Sequence, residues 1–220
     1  MKLLVVEDDA VLSSKLAQAL RAADFTVDVC ADGRQAEFLG ATERYDAALI
    51  DLGLPQLDGL SLLRAWREQG CSFPVLIITA RGRWNDKLAG FEAGADDFLV
   101  KPVHIAEAVL RTQALIRRAN GHATAVLRCA RLELDTHASR FLLDGEPLQL
   151  TAQEHKILAY LMHHQDRVVS RTEFWEHVDD RDAESDSNSI DVLIGRIRRK
   201  LGVDLLHTVR GVGFRLSSSA

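Results

Sequence analysis

The chain has 220 residues, of which 47% are hydrophobic and 27% charged, and its formal net charge is −5. This composition is typical of globular proteins with one large or two small domains. No apolar run approaches the ~20 residues of a membrane span, and no signal-peptide pattern precedes the first strand, which indicates a cytoplasmic protein that does not enter the membrane. The three widely spaced cysteines lack metal-ligand spacing and are expected to be reduced.

Strand-like and helix-like segments alternate through residues 2–118, which form the first predicted domain. Strands are predicted at 2–6, 26–30, 46–50, 74–78 and 97–100. Amphipathic helices are predicted between and after them, at 10–22, 33–41, 59–69, 86–93 and 104–118. Continuous apolar strands in strict alternation with helices favour a flavodoxin-like α/β fold, a doubly wound parallel sheet of five strands.

The pattern changes after this domain. Residues 119–125 are small and polar and are predicted to be a linker. Residues 126–218 then show alternating strand patterns, three helical segments and a C-terminal hairpin at 207–216. Two of the helices are predicted to begin with capping boxes, at Thr151 and Ser170. This order predicts a second, α+β domain of the winged-helix type.

Four predicted strands of the first domain end in polar residues: Glu7 and Asp8, Asp51, Thr79, and Lys101. The carboxyl ends of parallel strands converge in one crevice, so these side chains are expected to meet. Clustered carboxylates suit Mg²⁺, which prefers oxygen ligands. An aspartate held between Mg²⁺ and lysine can attack a phosphoryl donor, with a lysine and a hydroxyl binding the phosphoryl oxygens.

Three neighbouring features leave alternatives open or serve local structure. Asp9 is either another pocket carboxylate or the N-cap of the first helix. Asp58 and Gly59 are predicted to form a turn and a helix cap. The Lys101-Pro102 bond is a plausible cis peptide.

Segments 4–9, 51–59, 79–82, 94–98 and 101–102 resemble the signatures of two-component response-regulator receivers. The whole chain is similar to the OmpR/PhoB subfamily, and its 79–87 and 192–196 segments look most like the PhoP branch. The resemblance implies that Asp51 accepts a phosphoryl group from a sensor histidine kinase. It also implies that the Gly53 carbonyl joins Glu7, Asp8 and Asp51 as Mg²⁺ ligands, and that Thr79 and Phe98 form the switch.

The resemblance further implies a homodimer through the receiver domain. In response regulators of this type, charged residues form reciprocal ion pairs across a two-fold axis. The matching pairs here are Lys87 with Glu107, Asp96 with Arg111, and Asp97 with Arg118. The alternative is a solvated face on which Glu107 and Arg111 pair within one helix.

The second domain carries its positive charge in one region, because residues 188–215 hold six basic residues against two acidic ones. In a helix predicted at 187–201, Ile190, Ile194, Ile197 and Leu201 form the core stripe. The outward positions are Asn188, Ser189, Val192, Gly195, Arg196 and Arg199. Asn and Arg can read base edges and Val can contact a thymine methyl, while Arg210 in the hairpin is placed for phosphate or the minor groove. These features predict binding to DNA.

By resemblance, this second domain is the winged-helix effector of the subfamily and binds promoter DNA as tandem half-sites. The acidic segment 179–186 lies where such proteins contact RNA polymerase, and a solvated loop is the alternative. Two rivals remain. An Asp-nucleophile phosphohydrolase would need a second Asp where Gly53 stands. An atypical regulator would bind DNA without being phosphorylated.

Overall fold

The computed structural model describes residues 1–178 and 190–218. The chain divides into two compact units, of which the first comprises Lys2–Ala119 and the second begins at Asn120. Within the described ranges, no helix combines the length and the apolar character that a bilayer crossing requires. The three cysteines are free thiols, and two of them, Cys30 and Cys129, are buried.

The first unit alternates strands and helices from end to end. Its elements are β1 (Lys2–Val6), α1 (Ala10–Ala22), β2 (Thr26–Cys30), α2 (Gly33–Thr42), β3 (Ala47–Ile50), α3 (Gly59–Glu68), β4 (Val75–Thr79), α4 (Trp84–Glu92), β5 (Asp97–Val100) and α5 (Ile105–Ala119). The strands pair in parallel in the order β2-β1-β3-β4-β5. The predicted flavodoxin-like sheet is therefore confirmed.

Burial explains why the apolar strands predicted this sheet so well. Every residue of β1, β3 and β4 is buried, as expected for strands covered on both faces. Helix α1 packs against α5, and α2 packs against α3. The strand order reverses between β1 and β3, so a crevice opens at the carboxyl ends of these two strands.

The second unit has the predicted winged-helix layout. An antiparallel sheet of β6 (Val126–Cys129), β7 (Leu132–Asp135), β8 (Arg140–Leu143) and β9 (Glu146–Pro147) comes first. It is followed by α6 (Ala152–His163), β10 (Val168–Ser170), α7 (Arg171–Val178), α8 (Ile190–Leu201), β11 (Leu206–Val209) and β12 (Gly213–Leu216). The sequence predicts the hairpin of β11 and β12 but not β10, which pairs with β12.

The two predicted capping boxes differ in the structure. At α6, Thr151 Oγ1 accepts from the Glu154 N–H and the Glu154 carboxylate accepts from the Thr151 N–H, so the box is complete. Before α7, Ser170 Oγ accepts from the Glu173 N–H. The Glu173 carboxylate instead accepts hydrogen bonds from the Tyr160 hydroxyl and the Arg167 guanidinium.

Candidate functional site

The polar ends of the strands meet in one pocket, as predicted. Lys101 Nζ lies 2.7 Å from Glu7 Oε1 and 2.7 Å from Asp51 Oδ2. Carboxylate oxygens of Glu7, Asp8 and Asp51 lie within 4.8 Å of one another. Glu7 and Asp51 are buried, whereas Asp8 is exposed, so the cluster opens to solvent on one side.

The parallel register places these side chains at the same level. Val6 pairs with Ile50, so the next residue of each strand, Glu7 or Asp51, leaves the sheet beside the other. The Asp51 N–H donates to the Val6 carbonyl at 2.9 Å. On the other side, the Lys101 N–H donates to the Thr79 carbonyl at 2.8 Å, and the Lys101-Pro102 bond is cis, as the sequence suggested.

The two buried carboxyl groups have opposite pKa shifts. Burial raises the pKa of Asp51, but hydrogen bonds from the Lys101 ammonium, the Gly53 N–H and the Thr79 hydroxyl outweigh burial and hold the pKa below its usual value. At Glu7, burial outweighs the Lys101 ammonium, and the Asp51 charge adds to it, so the pKa of Glu7 is raised. Asp51 is thus the stronger acid of the two and is ionised at neutral pH.

The donor set fits a hard divalent cation. Glu7, Asp8 and Asp51 could each supply one carboxylate oxygen, which matches the preference of Mg²⁺ for a few carboxylates plus water and phosphate. Gly53 lies against the Asp51 carboxylate, because the Gly53 N–H donates to Asp51 Oδ1 at 3.1 Å. Its carbonyl stays a predicted ligand.

Asp9 is the N-cap of α1, which is one of the two roles that the sequence allows for it. Its Oδ1 accepts from the Val11 and Leu12 N–H groups at 2.9 and 3.1 Å. Asp58 caps α3 in the same way, as predicted.

The two predicted switch residues lie on neighbouring strands. Thr79 ends β4 and is buried, next to Asp51. Phe98 is half-buried in β5, with its ring 6.5 Å from that of Phe91 and its edge against Gly90 of α4. Lys87 Nζ lies 6.0 Å from the centre of the Phe98 ring. A movement of Phe98 would therefore change its contacts with α4.

The six charged residues of the predicted dimer face have contacts within the chain. Arg111 pairs with Asp97 at 2.9 Å and with Glu107 at 2.7 Å, so the intrahelical alternative is present. Asp96 accepts from the Val75 N–H at 2.8 Å and lies 3.4 Å from Arg67. The reciprocal pairs across a dimer, including those of Lys87 and Arg118, stay predictions. Large exposed apolar side chains lie on the same elements: Trp84, Leu88, Phe91, Val100 and Leu110.

Helix α8 presents the predicted faces. All four residues of the predicted core stripe are buried, and Leu193 is buried with them. Val192, Arg196 and Arg199 are exposed, and so is Arg210 before β12. Asn188, Ser189 and the acidic segment 179–186 lie outside the described residues.

Three charged side chains that hold α8 in place were not singled out from the sequence. Arg171 donates two hydrogen bonds to Asp191, at 2.7 and 2.9 Å, and its guanidinium lies 4.8 Å from the centre of the Phe214 ring. Arg198 donates to the Leu206 carbonyl at 2.7 Å.

Lys200 reaches the buried Glu154 carboxylate at 2.6 Å. Because the partners are distant in the chain, periodicity gives no signal for them.

Known proteins are similar to this chain in sequence. Residues 3–113 match the response regulator receiver domain family, and residues 145–216 match the family described as transcriptional regulatory protein, C terminal. The two-component response regulator PhoP of Pseudomonas aeruginosa is 44% identical over 218 residues, covering 97% of each chain. The transcriptional regulatory protein QseB of Haemophilus influenzae is 39% identical over 216 residues, covering 98% of each.

A solved structure gives the same result for the first unit. The receiver domain of the Francisella response regulator 1452 is 36% identical with a TM-score of 0.52, and the match covers 53% of this chain and 97% of that one. Together with the strand-end pocket and the winged-helix unit, these similarities identify the chain as a member of the OmpR/PhoB-type two-component response regulators, transcriptional regulators with a DNA-binding domain.

Proposed function

We propose that this protein is switched by Mg²⁺-dependent phosphorylation of Asp51 by a sensor histidine kinase. The observation that carries the proposal is the position of Asp51. Its carboxylate is buried, is ionised at neutral pH, is bonded to Lys101 and lies within 4.8 Å of two further carboxylates. This is the environment that an aspartyl nucleophile needs.

Each pocket residue has a separate part in the transfer. An Asp51 oxygen attacks the phosphorus of the kinase phosphohistidine, a P–O bond forms, and the P–N bond to the histidine breaks. Glu7, Asp8, Asp51 and the Gly53 carbonyl would hold Mg²⁺, which neutralises charge on the transferring group. Lys101 would then bind a phosphoryl oxygen with its ammonium, and Thr79 another with its hydroxyl.

The output would run through the α4, β5 and α5 face. The movement of Thr79 toward the phosphoryl group would let Phe98 turn inward and change the surface beside Lys87 and Arg111. A homodimer across this face raises the effective concentration of two DNA-binding domains on tandem promoter half-sites. Their contacts would come from α8 and Arg210, and those with RNA polymerase from the acidic segment 179–186. Because its target is promoter DNA, we place the protein in the cytoplasm.

The phosphohydrolase rival is not favoured. The position two residues after Asp51 is Gly53, which offers no acid or base, and the relatives are transcriptional regulators. The regulator that works without phosphorylation is kept as an outcome of the experiment below.

The experiment incubates the full chain with acetyl phosphate and Mg²⁺ and follows intact mass and size-exclusion volume. Wild type should gain one phosphoryl group and shift to a dimer, whereas Asp51→Asn should do neither. Asp58→Asn is the control, since it keeps an N-capping side chain outside the carboxylate cluster. No adduct on a chain that nevertheless elutes as a dimer would overturn the phosphorylation switch and support the atypical regulator.

A further inference from the structure

Gly195 occupies an interior position of α8, where glycine is disfavoured. Apart from proline, glycine is the least favourable residue within a helix, because it loses the most backbone freedom on folding. A close contact that a side chain would block is one physical reason for a glycine at such a position.

The other glycines in the described helices have such contacts within the protein. Each has a protein atom less than 3.0 Å from the point where a Cβ would stand: Leu57 O at 1.9 Å for Gly33, Trp66 Nε1 at 2.2 Å for Gly40, Asp51 O at 2.1 Å for Gly59, and Ile77 Cδ1 at 2.9 Å for Gly90. At Gly195, no described atom lies within 4 Å of that point, apart from those of the glycine, its two chain neighbours and the backbone of its own helix. The described part of the protein thus gives no packing reason for this glycine.

The surroundings of Gly195 indicate where its partner lies. Val192, one turn earlier, is 42% exposed, and Arg196 and Arg199 are exposed on the same side. Arg199 Nε lies 3.4 Å from the Gly195 carbonyl oxygen, so the guanidinium folds back beside the glycine. Gly195 is consequently a notch about one methyl group wide, with an apolar wall at Val192 and cations next to it.

We propose that this notch receives the C5-methyl group of a thymine in the major groove. The proposal rests on α8 entering that groove. Thymine is the base whose edge carries a methyl group there, and Val192 would complete the apolar contact around it. The neighbouring arginines would bind phosphates or guanine edges. Gly195 is thus a specificity residue that acts by leaving space.

The replacement Gly195→Ala should raise the stability of the second domain and lower its affinity for DNA. Alanine is the better helix former, so the melting temperature of the second domain should rise. The added methyl group would occupy the notch, so affinity for the selected DNA should fall about fivefold or more. Gly195→Ser, with a larger side chain, should weaken binding further.

The decisive experiment removes the methyl group from the DNA instead. The full wild-type chain selects a duplex from a randomised pool, and each thymine of that duplex is then replaced singly by deoxyuridine. One replacement should weaken wild-type binding and restore most of the affinity that Gly195→Ala loses, because one of the two methyl groups is then absent.

Other results would overturn the proposal that the notch receives a thymine methyl group. Equal affinity of Gly195→Ala and wild type for the selected duplex would show that no DNA group enters it. A loss that no deoxyuridine relieves would assign the close contact to the DNA backbone. Unchanged DNA affinity with altered self-association or altered binding of RNA polymerase would assign the notch to a protein partner.

Wild-type binding to the selected duplex reports DNA recognition separately, with or without acetyl phosphate. Failure of the notch is therefore distinguishable from failure of the phosphorylation switch. If the wild-type chain selected no duplex at all, both the notch and DNA recognition by α8 would be overturned.

Discussion

Lys101 Nζ is 2.7 Å from a carboxylate oxygen of Asp51 and equally close to one of Glu7, so a single ammonium bridges two acids from neighbouring strands. Burial lowers the pKa of Lys101, but these two hydrogen bonds outweigh burial and raise it. The lysine therefore stays charged throughout the neutral range. At this position it would repel a metal cation bound to the carboxylates and attract a phosphoryl group on Asp51.

Replacing Lys101 with Met should separate metal binding from phosphorylation. The positive charge of Lys101 repels a metal cation bound to the neighbouring carboxylates, so its removal should tighten Mg²⁺ binding about fivefold or more. Phosphorylation by acetyl phosphate should slow at least tenfold, because a phosphoryl oxygen loses its cation. Calorimetric titration and intact mass would measure the two effects.

Lys101→Arg keeps the charge and is the control, with no expected gain in Mg²⁺ affinity. Weaker Mg²⁺ binding by Lys101→Met would mean that the lysine organises the carboxylates for the metal instead of competing with it.

Asp9 and Asp8 are adjacent in sequence but should respond differently to substitution. Loss of the α1 N-cap in Asp9→Ala should lower the free energy of unfolding by about 1 kcal/mol, measured with urea. Its Mg²⁺ affinity should stay within about twofold of wild type, since Asp9 lies outside the carboxylate cluster. Asp8→Asn should show the reverse pattern. A large loss of Mg²⁺ affinity in Asp9→Asn, which retains a capping side chain, would refute the assignment.

Arg111→Ala should impair dimerisation more than stability. Its ion pairs with Asp97 and Glu107 are partly exposed, and such pairs contribute little to folding, about 0.5 kcal/mol or less. If the proposed dimer uses this face, the phosphorylated variant should elute as a monomer at concentrations where wild type is a dimer. Arg34→Ala, which breaks an exposed pair with Glu37 on α2, is the matched control. Equal dimerisation of all three chains would exclude Arg111 from the interface.

Glu154 should make the second domain sensitive to acid. Burial raises its pKa, but the Lys200 ammonium and the Thr151 N–H outweigh burial, so the pKa of Glu154 lies below its usual value. The unfolded chain thus takes up this proton more readily. The stabilising contribution is complete above the unfolded pKa of about 4.3 and is lost as the pH falls through the lower folded pKa.

The corresponding variant is Glu154→Gln, followed by urea unfolding at several pH values. It should be less stable than wild type by about 1–2 kcal/mol at neutral pH, and the gap should narrow below about pH 4. Glu146→Gln on exposed β9 should show no such gap. A difference in unfolding free energy that does not change with pH would mean that the charge of the Glu154 carboxylate does not contribute to stability.

The sequence predicts the receiver strands to within one residue because their apolar runs end close to where the strands end, and the polar residues that follow these runs lie in the pocket. Strand β10 was missed because three residues, Val168–Ser170, are too few for a periodic pattern. The sequence cannot separate the two possible roles of Asp9, because a pocket carboxylate and the N-cap of the next helix are both expected directly after a strand. Only tertiary structure reveals pairs such as Arg171 with Asp191, which lie 20 residues apart.

The contacts of Arg198 and Lys200 also change how the positive charge of the second domain should be counted. Arg198 donates to the Leu206 carbonyl and the Thr208 hydroxyl, and Lys200 is bonded to the Glu154 carboxylate, so internal contacts already hold both side chains and an acid already balances the Lys200 charge. When a protein cation meets a DNA phosphate, a bound counterion is released, and the salt dependence of affinity counts these events. The slope of log affinity against log salt should therefore be shallower than the number of basic residues near α8 suggests, with Arg196, Arg199 and Arg210 contributing most of it.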